Sequence, residues 1–270
     1  MNINLQNYIK SGYRSVEGWY SQDSLRIINH INSYQINNLI SGNIAEIGVH
    51  HGRSLILLSL MMASNEKCFA IDLFENQFEN PELSGKGNLA IVKNNLTKFN
   101  CPIERIEIIS SNSKDVNADY LIGKSGEKIR FFSLDGGHSA DVVESDLKLA
   151  EYCLAKGGIA LLDDYFDQSW PGVSEGLMRH LLLNDSNLIP FAIFDDKIMM
   201  TNSRELIIRY QEHLNKLQPE FLIKSIKFMD ADCIVISKSN SKIKDKLRQS
   251  KLWQIMKNKN IGKLLRKSVK

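Results

Sequence analysis

The chain has 270 residues, 43% hydrophobic and 24% charged, enough apolar material for one large domain and too much for a largely disordered chain. Its net charge of +3 conceals an asymmetry: residues 239–270 carry eleven basic side chains against a single acid, Asp245, so the tail is strongly basic and the body mildly acidic. No apolar run approaches the roughly 20 residues of a membrane-spanning helix, the first residues lack the regions of a signal peptide, and the four cysteines form no C-x-x-C pair, which argues against zinc and redox motifs and for a reducing, cytoplasmic setting.

Residues 1–22 are polar and aromatic and are expected to form a cap or lid. Apolar positions Leu25, Ile27, Ile28, Ile31 and Ile36 predict an amphipathic helix over 23–39. Strands and helices then alternate: strand 43–49, helix 53–64, strand 67–73, helix 87–99, strand 103–110, helix 115–122, strand 129–134, helix 140–155, strand 158–162, helix 172–183. A strand pair or hairpin follows over 191–200, a helix over 204–217 and the last strand material over 221–237. This alternation predicts an α/β fold with a doubly wound, mostly parallel sheet over 23–238.

Three acids stand at the ends of two apolar segments: Asp135 after F-F-S-L, and Asp163 and Asp164 after G-G-I-A-L-L. One crossover separates the segments, so the strands run parallel and the acids share one edge of the sheet. Open α/β sheets bind ligands at that edge, and three converging carboxylates there suit a hard cation.

The first strand ends in E-I-G-V-H-H-G-R-S. Gly48 at the strand end and Gly52 at the helix entry let the backbone come close to a ligand, and the helix N-terminus beyond offers free N–H donors. Ser54 adds a hydroxyl and Glu46 a charge near the turn; the same pattern is also compatible with a plain tight turn. Asp72 closes the second strand, where an acid can take both ribose hydroxyls, or serve only as a helix cap. Ser111, Asn112 and Ser113 follow the third strand, either beside an adenine edge or as a polar turn.

Taken together, E-I-G-V-H-H-G-R-S, the Asp72 strand end, L-D-G-G-H-S and L-L-D-D-Y resemble the class I S-adenosylmethionine-dependent methyltransferases. They are most similar to the metal-dependent sugar O-methyltransferases, the macrocin O-methyltransferase-like group. The resemblance covers roughly 18–237 and implies a Rossmann-like sheet of seven strands with helices on both faces. It implies that Glu46, Gly48, Gly52 and Ser54 surround the methionine part of S-adenosylmethionine, that Asp72 binds its ribose, and that Asn112 and Ser113 lie by its adenine. It also implies a magnesium ion held by Asp135, Asp163 and Asp164, and methyl transfer to a hydroxyl of a sugar, glycan or other small polar acceptor. A non-sugar acceptor, or a non-catalytic binding protein on the same fold, stands as the alternative.

Where some relatives read D-G-D, this chain reads Asp135-Gly136-Gly137, so the second acid, their candidate base, is missing and His138 is the substitute. With an ordinary pKa near 6.5 it is suited to accept a proton near neutral pH; its competing reading is a cap at the start of the next helix. Trp170 stands just past Asp164, to stack on a ring substrate or to close the core. The tail places Leu252, Ile255, Met256, Ile261, Leu264 and Leu265 at helical spacing among its charges. That pattern suits peripheral contact with the anionic inner membrane surface, nucleic acid or a solvated tail. Nucleic acid is disfavoured as a substrate because L-D-G-G-H stands where base methyltransferases carry N/D-P-P-Y/F. A homo-oligomer is left open.

Overall fold

The computed structural model describes residues 2–123 and 127–238. The basic tail, 239–270, and its expected amphipathic helix lie outside the described residues.

Nine strands form one sheet: β1 (Asn43–Ile47), β2 (Cys68–Asp72), β3 (Ile106–Ser110), β4 (Ile129–Leu134), β5 (Leu154–Leu162), β6 (Ile189–Phe194), β7 (Lys197–Thr201), β8 (Phe221–Phe228) and β9 (Ala231–Lys238). Their order is β3-β2-β1-β4-β5-β7-β6-β9-β8. The β3 to β5 half is wholly parallel, whereas β7 pairs antiparallel with both β5 and β6, and β8 with β9. The doubly wound α/β expectation therefore holds, with nine strands in place of seven. The last strand material, expected over 221–237, folds as two strands in a long hairpin, with β9 parallel to β6. Its turn places Met229 and Asp230 at φ +48° and +61°. Two consecutive positive φ values are what a two-residue hairpin turn requires, but Met-Asp lacks the glycine or asparagine that advertises one.

Helices cover both faces: α1 (Ile3–Lys10), α2 (Gln22–Asn37), α3 (Arg53–Met61), α4 (Leu89–Lys98), α5 (Ala118–Gly123), α6 (Ala140–Cys153), α7 (Pro171–Leu183) and α8 (Arg204–Asn215). One core joins α1, α2, α3, α4 and α8 to the sheet through residues such as Tyr8, Ile28, Leu57, Leu96 and Tyr210. The opposite core carries α5, α6 and α7 through Leu121, Leu147 and Leu177. Every residue of α3 after Arg53 is buried, the expected fate of a helix that is apolar nearly all round.

Residues 2–22 are tied down. Asn2 caps α1 through its side-chain oxygen, and the Tyr8 hydroxyl donates to Arg53 O at 2.6 Å. The Arg53 guanidinium in turn donates to Val16 O at 2.8 Å and Tyr20 O at 3.3 Å. One arginine at the start of α3 thus ties the entering chain to the first strand–helix turn.

Candidate active site

The carboxyl ends of β1 to β5 and the turn before β7 open on one cavity of about 690 Å³. Its walls come from the 17–21 segment, the 48–54 turn, the 77–85 loop, Ser111 to Ser113, the 135–142 stretch and the acids after β5. Register explains the convergence. Ile47, Leu134 and Leu162 are level across β1, β4 and β5. The chain then continues one pairing step further, with Asp135 N–H bonded to Ile47 O and Asp163 N–H to Leu134 O, each at 2.9 Å.

At one end lies the glycine turn. Gly48 has φ +84°, and a Cβ there would stand 1.7 Å from Asp135 O, so no side chain fits. Gly52 is the N-cap of α3 at φ +88°. Asp72 organises the turn: one oxygen accepts from Val49 N–H (2.7 Å) and His50 N–H (2.9 Å), the other from Phe74 N–H (2.6 Å). Three of about four lone-pair positions are thereby taken. Asn112 caps the short turn after β3 and donates to Glu79, and it lines the cavity with Ser113 and Ser54.

Glu46 stands on β1 two residues before Gly48. It is fully buried within β1 and is not part of the cavity wall. Neither oxygen has a hydrogen-bond partner of good geometry. Burial pushes its carboxyl up to about 8, with Ser54 the chief opposing influence. An orphaned acid behind the turn fits the amino end of an amino-acid-bearing cofactor, provided that end reaches past Ser54.

The opposite end is the carboxylate cluster. Asp135 is raised well above the carboxylate range, first by burial and then by Asp163 and Asp164, with Lys197 opposing. Asp164 adopts φ +56°. Its carboxylate meets His138 Nε2 at 3.1 Å, while His138 Nδ1 meets Glu82 at 2.5 Å and the His138 backbone N–H donates to the same carboxylate at 2.7 Å. The ring is stacked on Trp170 at 4.1 Å. Burial works against the charged imidazole, but hydrogen bonds and charge from Asp164 and Glu82 carry its pKa above the ordinary value. Carboxylates at both nitrogens are satisfied together by the imidazolium, which donates from each. A general base needs a free lone pair, so this arrangement does not suit His138 to the base role expected of it.

Asp163, 6% exposed, accepts from Lys197 Nζ at 2.5 Å and from Asp164 N–H at 2.8 Å. The lysine is equally buried and its ammonium stands 4.3 Å from the Tyr20 ring centroid. Among the described residues, ligand atoms converge within 4.8 Å in two groups: Glu17 with His50 and His51 beside the glycine turn, and Asp135 with His138 and Asp164 at this end. The three-carboxylate magnesium set therefore does not converge as arranged: Asp163 Oδ1 is taken by an ammonium and a backbone N–H, and the third converging donor is an imidazole, which magnesium accepts poorly.

Lys197, Glu82 and Tyr20 are the participants the sequence reading does not single out. Lys197 left a signal, since it opens a strand, K-I-M-M-T, that is buried at every position. A charge in such a strand needs a partner. Glu82 lies in the 77–85 loop, 56 residues from His138, and leaves no pattern.

Residues 45–165 match the family model of a methyltransferase domain. No curated protein matches the chain by sequence. Among solved structures, the O-methyltransferase NovP is similar at 15% identity over 67% of this chain and 81% of that one, with a TM-score of 0.55. CalS11, a TDP-rhamnose 3′-O-methyltransferase of calicheamicin biosynthesis, is similar at 16% identity over 73% and 92%, with a TM-score of 0.51. At such identities the likeness is one of fold. The chain thus matches a methyltransferase-domain model over residues 45–165, adopts a fold shared with O-methyltransferases, and resembles the class I S-adenosylmethionine-dependent methyltransferases.

Proposed function

We propose that this protein transfers a methyl group from S-adenosylmethionine to a hydroxyl of a sugar, glycan or other small polar acceptor. The observation that carries this reading is one cavity with a glycine turn at one end and a buried carboxylate cluster at the other. The cofactor supplies an electrophilic methyl group when bound. Gly48, Gly52 and Ser54 would hold its methionine part, Asp72 would offer its remaining lone pair to the ribose, and Asn112 and Ser113 would flank the adenine.

On the acceptor side, Asp135 lines the cavity at the end of β4 and has no side-chain hydrogen bond among the described residues. It is the group we assign to receive the hydroxyl proton, a role worth about 10²–10⁴ in rate. His138 and Asp164, braced by Glu82 and Trp170, set the wall beside it. Aligning acceptor and methyl donor provides much of the remaining advantage.

A metal-assisted version is favoured by one observation, the convergence of Asp135, His138 and Asp164. Labelled methyl transfer from S-adenosylmethionine to a panel of free sugars, glycosides and catechols, with and without a chelator, separates the readings. Transfer to a polyhydroxylated acceptor that survives chelation supports the metal-free form. Chelator-sensitive transfer supports the second. Cofactor binding without transfer to any hydroxyl acceptor counts against O-methylation. Peripheral membrane contact through 239–270 is a separate proposal, tested by sedimentation of the full chain and a chain ending at 238 with anionic vesicles.

A further inference from the structure

We propose that Lys197 is the resident cation of the carboxylate cluster: its ammonium pairs with Asp163 through Oδ1 and competes with a divalent ion for that carboxylate. The inference rests on the methyl-transfer reading only in treating the cluster as the acceptor end of the cavity.

Four observations carry it. Lys197 Nζ and Asp163 Oδ1 are 2.5 Å apart, and both residues are only 6% exposed. The ammonium is flanked by the Tyr20 ring at 4.3 Å, a contact that favours a cation at this spot. Tyr20 is itself fixed, its hydroxyl 3.1 Å from Ser133 Oγ and its carbonyl accepting from Arg53. Finally, Lys197 is held by main-chain pairing close to the turn between two antiparallel strands, with Ile193 paired to Ile198 and Phe194 to Lys197, so its reach is set by the sheet rather than by a loop.

A lysine brings a compact positive charge with three N–H donors. One serves Asp163. The cavity-lining position of Lys197 makes it a positioning residue for an acceptor oxygen, the task a divalent ion would otherwise perform at this carboxylate. Charge favours the same conclusion. Asp135, Asp163 and Asp164 all line the cavity, and a nearby cation favours the charged form of a carboxylate held among like charges. Lys197 is one that chelation cannot remove.

The test is binding of Mn²⁺, followed by its electron paramagnetic resonance signal, to the full-length protein and to three variants. Lys197→Met frees Asp163 and is expected to bind Mn²⁺ about ten-fold more tightly than wild type, since a third carboxylate oxygen joins a hard-cation site. Lys197→Gln, which removes the ammonium and leaves at most a weaker neutral donor, should shift the same way by a smaller factor and serves if the methionine variant does not fold. Lys197→Met with Asp163→Asn should return to the wild-type affinity, because Asp163 is not a ligand in the wild type. Two results overturn the proposal: unchanged or weaker Mn²⁺ binding in a folded Lys197 variant, or a double variant that binds about ten-fold more weakly than wild type. S-adenosylhomocysteine calorimetry on each protein reports folding and tests the cofactor reading separately. Loss of that binding in the wild type would sink the methyl-transfer reading while leaving the Mn²⁺ comparison intact.

Discussion

The two ends of the cavity are built on different principles. At the glycine turn, backbone groups do the work: Gly48 admits Asp135 O into a space no side chain permits, and Asp72 gathers the N–H groups of Val49, His50 and Phe74. At the acidic end, side chains hold one another: Lys197 holds Asp163, while Glu82 and Asp164 hold His138. A turn held by backbone geometry tolerates little substitution. A network of paired charges tolerates conservative change yet responds to every missing partner. Cofactor binding and chemistry should therefore separate under mutation.

The largest effect expected is at the acidic end. Asp135→Asn should lower methyl transfer by about a thousand-fold, within the range for loss of a general base, while S-adenosylhomocysteine affinity changes little. His138→Gln should cost much less, because the ring is a bridge and not the proton acceptor. Equal losses for the two variants would return the base role to His138.

Next comes Asp72→Ala, which strips three backbone N–H groups of a charged acceptor. Cofactor affinity should fall by about a hundred-fold, in line with about 1.5–3 kcal/mol for a hydrogen bond to a charged group. Calorimetry reads it directly, and unaltered affinity would show that the turn holds its shape unaided.

Glu46 gives a smaller, pH-dependent signal. Its folded pKa, about 8, lies above the reference value of 4.5. The folded state therefore holds the extra proton between those values, and Glu46 costs stability progressively as pH rises from about 4.5 to about 8. Glu46→Gln should match wild type near pH 4.5 and exceed it by on the order of 2 kcal/mol at pH 8, less than the full shift implies because the site relaxes when charged. Parallel stability curves across that window would refute the burial argument.

The smallest effect is at Trp170. Trp170→Ala removes the stack on His138 and should cost about 1 kcal/mol of stability, with a modest rate loss and unchanged cofactor affinity. A larger fall in cofactor affinity would show that the two ends are coupled through this ring.

Much of this was legible in the sequence because strand ends and glycine turns are local. Gly48 and Gly52 mark the first turn, and the apolar runs before Asp72, Asp135 and Asp163 place those acids at one sheet edge. What escaped is non-local or carries a weak signal. The Lys197–Asp163 pair spans 34 residues and depends on β7 lying antiparallel beside β5. The Glu82–His138 contact depends on a loop with no periodicity to read. Helix α1 is only eight residues long, too short for periodicity to separate it from a polar cap. Glu46 was placed on the correct strand, but its distance behind the cavity wall follows from packing across the sheet, and pattern alone does not supply it.

The central claim is that the glycine-turn end binds an S-adenosyl cofactor. Calorimetric titration of S-adenosylhomocysteine into the wild-type protein, with Asp72→Ala as the paired control, tests it most directly. One site per chain is expected, with an affinity that Asp72→Ala lowers by about a hundred-fold. No heat of binding to the folded wild-type protein, or equal binding by both proteins, would contradict it.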